Sequence, residues 1–470
     1  MVIRRNAPVQ RLTAPAFLPA DGSPINCIAI WGHYHGGNLG DEVVVQALIQ
    51  NIRRRLPDAQ ICGISLDPAD TSVRYGIPAF SMITGAPVTS EATDKRNGGE
   101  SIGRDGHAAS PAVAGANASG MTEHYWDTHF TELAEVVIRR LHLRGIRTHV
   151  DFVRRVRRLL ARIDVVLVAG SGPVYDGWEG PWQHPFHLFQ WAEMCRFSRS
   201  SFAMLNVGAG PIERPLSRFF LRQALTSTTY RSFRDRSSAD LVTSVGIRPP
   251  HRVLPDLAFS LRLEDLDLPS LPAISGSGLT IGLSTMAHED PRYLPNGRKT
   301  RYQEYLDKLV AFARWAIASG HALQLLCSQT TADYRVAREV LDRLRGIPGT
   351  DVDGVVSMER ICDARALLGQ IARCNLVVGG RFHCHVLPYL LHKPVLGLAY
   401  HQKTRDLMAY MGQSRYCLDI DEASVEMIIE RFQELMRNAE TIRRSLPDRV
   451  AHCRQQLDAQ YDHLFGPYSA

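Results

Sequence analysis

No apolar run of the roughly 18 residues that would cross a bilayer occurs in the sequence. The opening stretch MVIRRNAPVQRLTAPAFLPADG is basic but has no apolar core of signal-peptide length, so a cytoplasmic location is expected. Nine cysteines, an odd number without a CxxC pair, argue against a disulfide framework or a zinc site and for reduced thiols. There is no GxGxxG and no Walker lysine, which leaves a dinucleotide or P-loop reading weak. No HExxH or Asp-rich cluster is present, and no metal is expected.

What is present is the composition of an ordinary globular protein, 45% hydrophobic and 22% charged. At 470 residues the chain is too long for one core. The net charge of +6 suits an anionic substrate, nucleic acid or an acidic membrane face without choosing among them. Short apolar runs alternate with helical patterns, which is the signature of parallel strands joined by crossover helices. NCIAIW, QICGIS, DVVLVAG, SFAMLNVG and YRSFR supply strands in the first half. After the Pro/Gly/Ser stretch at 268–278 the pattern restarts with LTIGLS, ALQLLC, NLVVGG and PVLGLA. The expectation is an N-terminal extension over 1–24, an α/β domain over 25–267, a linker over 268–278 and a second α/β domain over 279–470. Ligands of open parallel sheets bind beyond the carboxyl ends of strands, so the site belongs in the cleft between the two units.

One segment departs from this alternation. Residues 85–121 are poor in large apolar side chains and rich in Gly, Ala and Ser, and read as a mobile insertion. Behind it, from Ile138 to Arg162, nine arginines face the single acid Asp151. Val153, Val156, Leu160 and Ile163 share one helical face and leave Arg154, Arg155, Arg157 and Arg158 on the others. The plain reading is a solvated basic face; the sharper one is contact with anionic lipid or a lipid-linked acceptor.

Four stretches carry chemistry at strand exits. In HGGNLGDE the glycines at 36, 37 and 40 let backbone N–H groups approach a ligand, and Asn38, Asp41 and Glu42 follow at a helix start. The two acids either cap the helix or orient a hydroxyl or a cation in the cleft. In VLVAGSGPVYDGWEGPW the chain leaves a strand at Gly170 into a loop holding Tyr175, Asp176, Trp178 and Trp182, a mix of flat apolar faces and carboxylate that suits a sugar ring. YRSFRDRSSADL places Arg234 and Asp235 at a strand end, with Ser237 set to start a helix. NLVVGGRFHCHVLPYL ends a strand at Gly379 and Gly380 and presents Arg381, His383 and His385. An arginine there binds phosphate or carboxylate bidentately, and a histidine two residues on can move a proton near neutral pH. His385 reads as structural.

Taken in order, GGNLGDE, VAGSG, VGAGPI, FRDRSSADLV with LPDLAF behind it, and GRFHCHVLPYLLHKPVLGLAYHQK resemble the polysaccharide pyruvyl transferase family, over about residues 26–412 without the insertion. Phe382 is a departure, since the family commonly carries leucine there. The resemblance implies two Rossmann-like domains facing across a cleft, similar to the glycosyltransferase-B architecture. It also implies transfer of pyruvate from phosphoenolpyruvate to a sugar as a cyclic ketal, with no cofactor beyond that donor. Arg234, Arg381 and Lys403, with Gly170 and Gly380, are then the expected donor-binding positions. His383 is the expected general acid, and Asp41 the expected base or orienting group. Asn38, Glu42, Tyr175, Asp176 and Trp178 are expected on the acceptor, a glycan or lipid-linked glycan. Peripheral membrane contact is compatible with this reading, and no nucleic-acid partner is expected. The rivals are a nucleotide-sugar glycosyltransferase of the same architecture and a non-catalytic glycan-assembly partner.

Overall fold

The computed structural model describes residues 24–32, 37–88, 143–170, 172, 174–177, 180–248, 250–294 and 296–466. Most of the segment read as an insertion lies outside these residues. Its first four do not: Phe80 and Pro87 form an antiparallel bridge, and the Val88 N–H donates to the Ala79 carbonyl at 3.2 Å.

Two parallel sheets carry the fold. The first has seven strands: β1 (Cys27–Trp31), β2 (Gln60–Ser65), β3 (Ala79–Ser81), β4 (Val165–Val168), β5 (Ser201–Val207), β6 (Tyr230–Phe233) and β7 (Arg252–Val253), in spatial order β3-β2-β1-β4-β5-β6-β7. The second has six: β8 (Thr280–Ser284), β9 (Ala322–Leu326), β10 (Val356–Ser357), β11 (Leu376–Gly379), β12 (Val395–Ala399) and β13 (Cys417–Asp419), in order β10-β9-β8-β11-β12-β13. The central strands are the continuous apolar runs seen in the sequence, because strands covered on both faces have no solvent side to make polar. Both orders reverse direction beside the first strand of the sheet, between β1 and β4 and between β8 and β11. Chains diverge there and open a crevice at the carboxyl ends.

The N-terminal domain adds α1 (Leu39–Arg55), α2 (Pro68–Tyr75), α3 (Leu143–Leu160), α4 (His184–Arg196), α5 (Pro215–Thr226) and α6 (Arg236–Ser244). The C-terminal domain adds α7 (Lys299–Ala318), α8 (Ala332–Arg345), α9 (Ala364–Ala372), α10 (His383–Leu390), α11 (Gln402–Tyr410) and α12 (Val425–Phe465). The stretch at 268–278 does not hang free. Ser275 N–H donates to the Gly354 carbonyl, and Arg373 reaches the Pro272 carbonyl, so it lies along the second domain.

The domains are joined at several levels. Leu39 N–H donates to the Ser328 carbonyl at 2.9 Å and Thr330 N–H to the Gly37 carbonyl at 2.9 Å, so the glycine loop after β1 pairs with the loop after β9. Gly37 has φ of +77°, and a Cβ there would overlap Thr330. The last turns of α12 return to the first domain, where Asp458 and Asp462 each lie 2.9 Å from the buried Arg55 guanidinium. One buried apolar cluster runs from Ile28 and Leu48 through Leu283 and Leu387 to Leu464.

Candidate active site

The crevices of the two sheets face one another, and the groups lining them come from both domains. Arg234, at the end of β6, is buried; its Nη1 lies 3.1 Å from Asp256 Oδ2, and its guanidinium carbon stands 4.3 Å from the centroid of the Phe382 ring. Asp256 caps the 3-10 turn Leu257–Ser260, accepting the Ala258 N–H, and its Oδ2 is also 3.8 Å from His383 Nε2. Burial alone would push this carboxyl up. His383, 3.8 Å away, and the charge of Arg234 hold it well below the usual carboxylate range. Arg234 and His383 therefore share one ionised acid.

Arg381 and His383 flank Phe382 where β11 passes into α10, a helix buried along its whole length. Arg381 forks onto Asp333, with Nε 3.0 Å from Oδ2 and Nη2 2.6 Å from Oδ1. Asp333 is fully buried in the first turn of α8. The phenols of Tyr293 and Tyr400 sit against the same guanidinium, and burial with this carboxylate environment leaves both of them harder to ionise than a free tyrosine. His385 Nδ1, 2.7 Å from the Arg381 carbonyl, donates to it, and burial pulls this histidine down to about 4, so it is a neutral structural group.

Lys403 enters from the first turn of α11. Burial and the charges of Arg234 and Arg381, opposed by Asp235 and Asp41, bring its ammonium down to about 8. Among the described residues no carboxylate lies within ion-pair distance of it. Asp41 closes the site from the N-terminal side; the Asn38 amide donates to its Oδ2 at 2.6 Å, and Gly170, with φ of +115°, lies beside its Oδ1. A Cβ at Gly40 would overlap the His383 ring. The spacing of GGNLG thus serves close approach between domains: Gly37 admits Thr330 and Gly40 admits the histidine.

Arg234, Arg381, His383, Lys403 and Asp41, with Gly170 beside Asp41, surround one cleft. Other expected positions have different neighbours. Glu42, expected on the acceptor, instead pairs with Arg74 at 2.9 Å and accepts the Ala364 N–H at the start of α9. It lies in the first turn of α1, as expected, but its carboxylate accepts at the N-terminus of a helix in the other domain, and burial pushes it up to about 7 against the pull of Arg74. Asp176 is buried and accepts the Glu213 and Arg214 N–H groups at 3.0 and 2.9 Å, bracing the loop before α5. Tyr175 covers Gly210, whose Cβ would overlap its ring. Gly380 is needed for packing, since a Cβ there would be 3.1 Å from the Leu398 carbonyl. The α6 cap is Asp235, which accepts the Ser238 N–H at 2.7 Å and the Ser237 hydroxyl, so Ser237 is inside the helix. Trp178 lies outside the described residues. Trp182 belongs to an aromatic cluster with Phe186 and Phe220.

Asp256, Asp333 and Tyr293 were not singled out from the sequence. Asp256 stands in the quoted LPDLAF, so a signal existed; Asp333, in the first turn of α8, and Tyr293, in the turn before α7, stand in no recognisable pattern. Among the described residues no group of three or more His, Cys, Asp or Glu is arranged to hold a metal ion, and no helix is long and apolar enough to cross a membrane.

The family model for polysaccharide pyruvyl transferase matches residues 38–402. No curated protein matches the sequence significantly. Among solved structures, the UDP-GlcNAc 2-epimerase from Neisseria meningitidis bound to UDP-GlcNAc has a TM-score of 0.52 at 11% identity, covering 92% of this chain and 99% of that one. A candidate UDP-N-acetylglucosamine 2-epimerase from Listeria monocytogenes gives 0.51 at 11% identity, covering 95% and 100%. At such identity the likeness concerns the fold alone: two facing Rossmann-like domains in the glycosyltransferase-B arrangement.

Proposed function

The chain belongs to the polysaccharide pyruvyl transferase family, and from that membership we propose that its cleft binds phosphoenolpyruvate and transfers the pyruvyl group to two hydroxyls of one sugar as a ketal. The observation carrying this reading is the gathering of Arg234, Arg381 and Lys403 from both domains around His383. Among the described residues Lys403 has no carboxylate within ion-pair distance, and the charges of Arg234 and Arg381 repel its ammonium. A small ligand with a phosphate at one end and a carboxylate at the other relieves that repulsion and offers both ends to the cations.

The chemistry requires a proton at the methylene carbon of the donor, a sugar hydroxyl added to its central carbon, and departure of phosphate. A second hydroxyl then closes the ring. His383, whose Nε2 lies 3.8 Å from the Asp256 carboxylate, is the proton donor. Asp41, fixed by Asn38 on the opposite wall, orients or deprotonates an acceptor hydroxyl. Phosphate leaves into the field of the three cations.

The test is phosphate release from phosphoenolpyruvate in the presence of glycan acceptors, with mass spectrometry of the product for the added pyruvyl group. Thermal stabilisation by phosphoenolpyruvate and not by nucleotide sugars is the expected companion result. Stabilisation by nucleotide sugars alone would overturn the assignment.

A further inference from the structure

The N-terminal sheet has two faces with different partners. One packs on α1 and merges with the core that continues into the C-terminal domain. The other is covered by α3, α4, α5 and α6 around Phe152, Val156, Trp191 and Leu221, a cluster made wholly of N-terminal residues. We propose that the solvent side of α3, α4 and α5 is a docking surface for a bilayer rich in anionic lipid.

The argument rests on what this side exposes. Arg154, Arg155, Arg157 and Arg158 on α3 and Arg218 and Arg222 on α5 are all exposed. Among the described residues the one ion pair of this set joins Arg154 to Asp151 at 3.8 Å, open to solvent, which neutralises little. Phe197, just past α4, is 79% exposed and Phe219 on α5 is 51% exposed. Every strongly exposed phenylalanine among the described residues lies on this side. Phe219 is also held rigidly, by Phe189 at 6.3 Å and Phe220 at 5.8 Å between ring centroids, so little order is lost when it enters an apolar layer.

Arginines surrounding fixed apolar anchors fit the boundary between headgroups and acyl chains, where the charges meet phosphates and the rings leave water. A second copy of the chain would set these arginines against themselves. The surface is separate from the cleft, and its test does not depend on turnover.

The experiment is co-sedimentation of the full chain with vesicles of phosphatidylcholine alone and of an equal mixture with phosphatidylglycerol. Binding should appear on the mixed vesicles only and weaken with salt. Replacing Arg154, Arg158 or Arg222 with alanine should lower the partition coefficient about fivefold for each charge removed. Phe197→Ser with Phe219→Ser should lower it by about tenfold or more, with the circular dichroism spectrum unchanged. Equal binding to both vesicle types, variants that bind like the wild type, stronger capture by a nucleic acid, or binding lost on deletion of 89–142 but kept in the arginine and phenylalanine variants would each overturn the proposal.

Discussion

The guanidinium of Arg234, from the N-terminal domain, lies over the ring of Phe382, from the C-terminal domain, with 4.3 Å between its central carbon and the ring centroid. The contact is buried, so it counts for more than an exposed pair, about 1–2 kcal/mol. It also fixes one cation of the proposed donor site from across the cleft. Phe382→Leu should therefore raise the Michaelis constant for phosphoenolpyruvate about fivefold or more while changing kcat little. Steady-state kinetics with donor varied at saturating acceptor decides the point.

Arg381 cannot be tested by alanine alone. Removing it strands Asp333, which is fully buried, and should cost about 3–5 kcal/mol of stability. Arg381→Lys keeps the charge but loses the fork. It should unfold close to the wild-type temperature and bind phosphoenolpyruvate at least tenfold more weakly. Calorimetric titration alongside thermal denaturation separates the two effects; wild-type affinity in a folded lysine variant would remove Arg381 from the donor site.

His383 and Gly40 are coupled by contact. His383→Asn should lower kcat about 100-fold or more with a much smaller effect on donor affinity. Gly40→Ala, although far from His383 in sequence, should reproduce much of that loss because its methyl group displaces the ring. Asp256→Asn should also reduce kcat, by at least about tenfold. If Gly40→Ala turns over normally, the close approach has no catalytic consequence.

Lys403 supplies a pH dependence. Its ammonium is intact below about 8 and lost above it, so kcat/KM for the donor should be level on the acid side and fall as pH rises past about 8. Lys403→Arg should abolish that fall, and Lys403→Met should give a low, flat profile. The sign for stability is opposite. An unfolded lysine holds its proton to its ordinary value of 10.5, so between about 8 and 10.5 this group makes the fold more stable as pH rises. A fall in kcat/KM there is thus not unfolding caused by this residue.

The central strands were readable because burial on both faces writes itself as unbroken apolar runs. β3, β7, β10 and β13 escaped because each is a two- or three-residue strand toward a sheet edge, too short to carry a pattern. Cations at strand exits were equally legible, since arginines are rarely buried without a reason. Carboxylates were not. Glu42 and Asp41 are neighbours in sequence, yet one serves α9 and Arg74 and the other faces the cleft. Asp176 looked like a sugar ligand and is a brace for a loop. What separates these acids is a partner tens to hundreds of residues away, which no local spacing encodes. The same holds for Asp333, known only through the arginine it grips.

The return of α12 to the N-terminal domain sets an order on synthesis. Gln460 donates to Asn206 Oδ1 at 2.8 Å and to Ser232 Oγ at 2.9 Å, deep beside β5 and β6, and Tyr461 lies 3.1 Å from the Ser260 hydroxyl. Domains ordinarily fold as they emerge, the first one first. Here the polar atoms of the first sheet and the Arg55 charge stay without these partners until the second domain and α12 have been made. The polar interior of the first domain is thereby completed only together with the second.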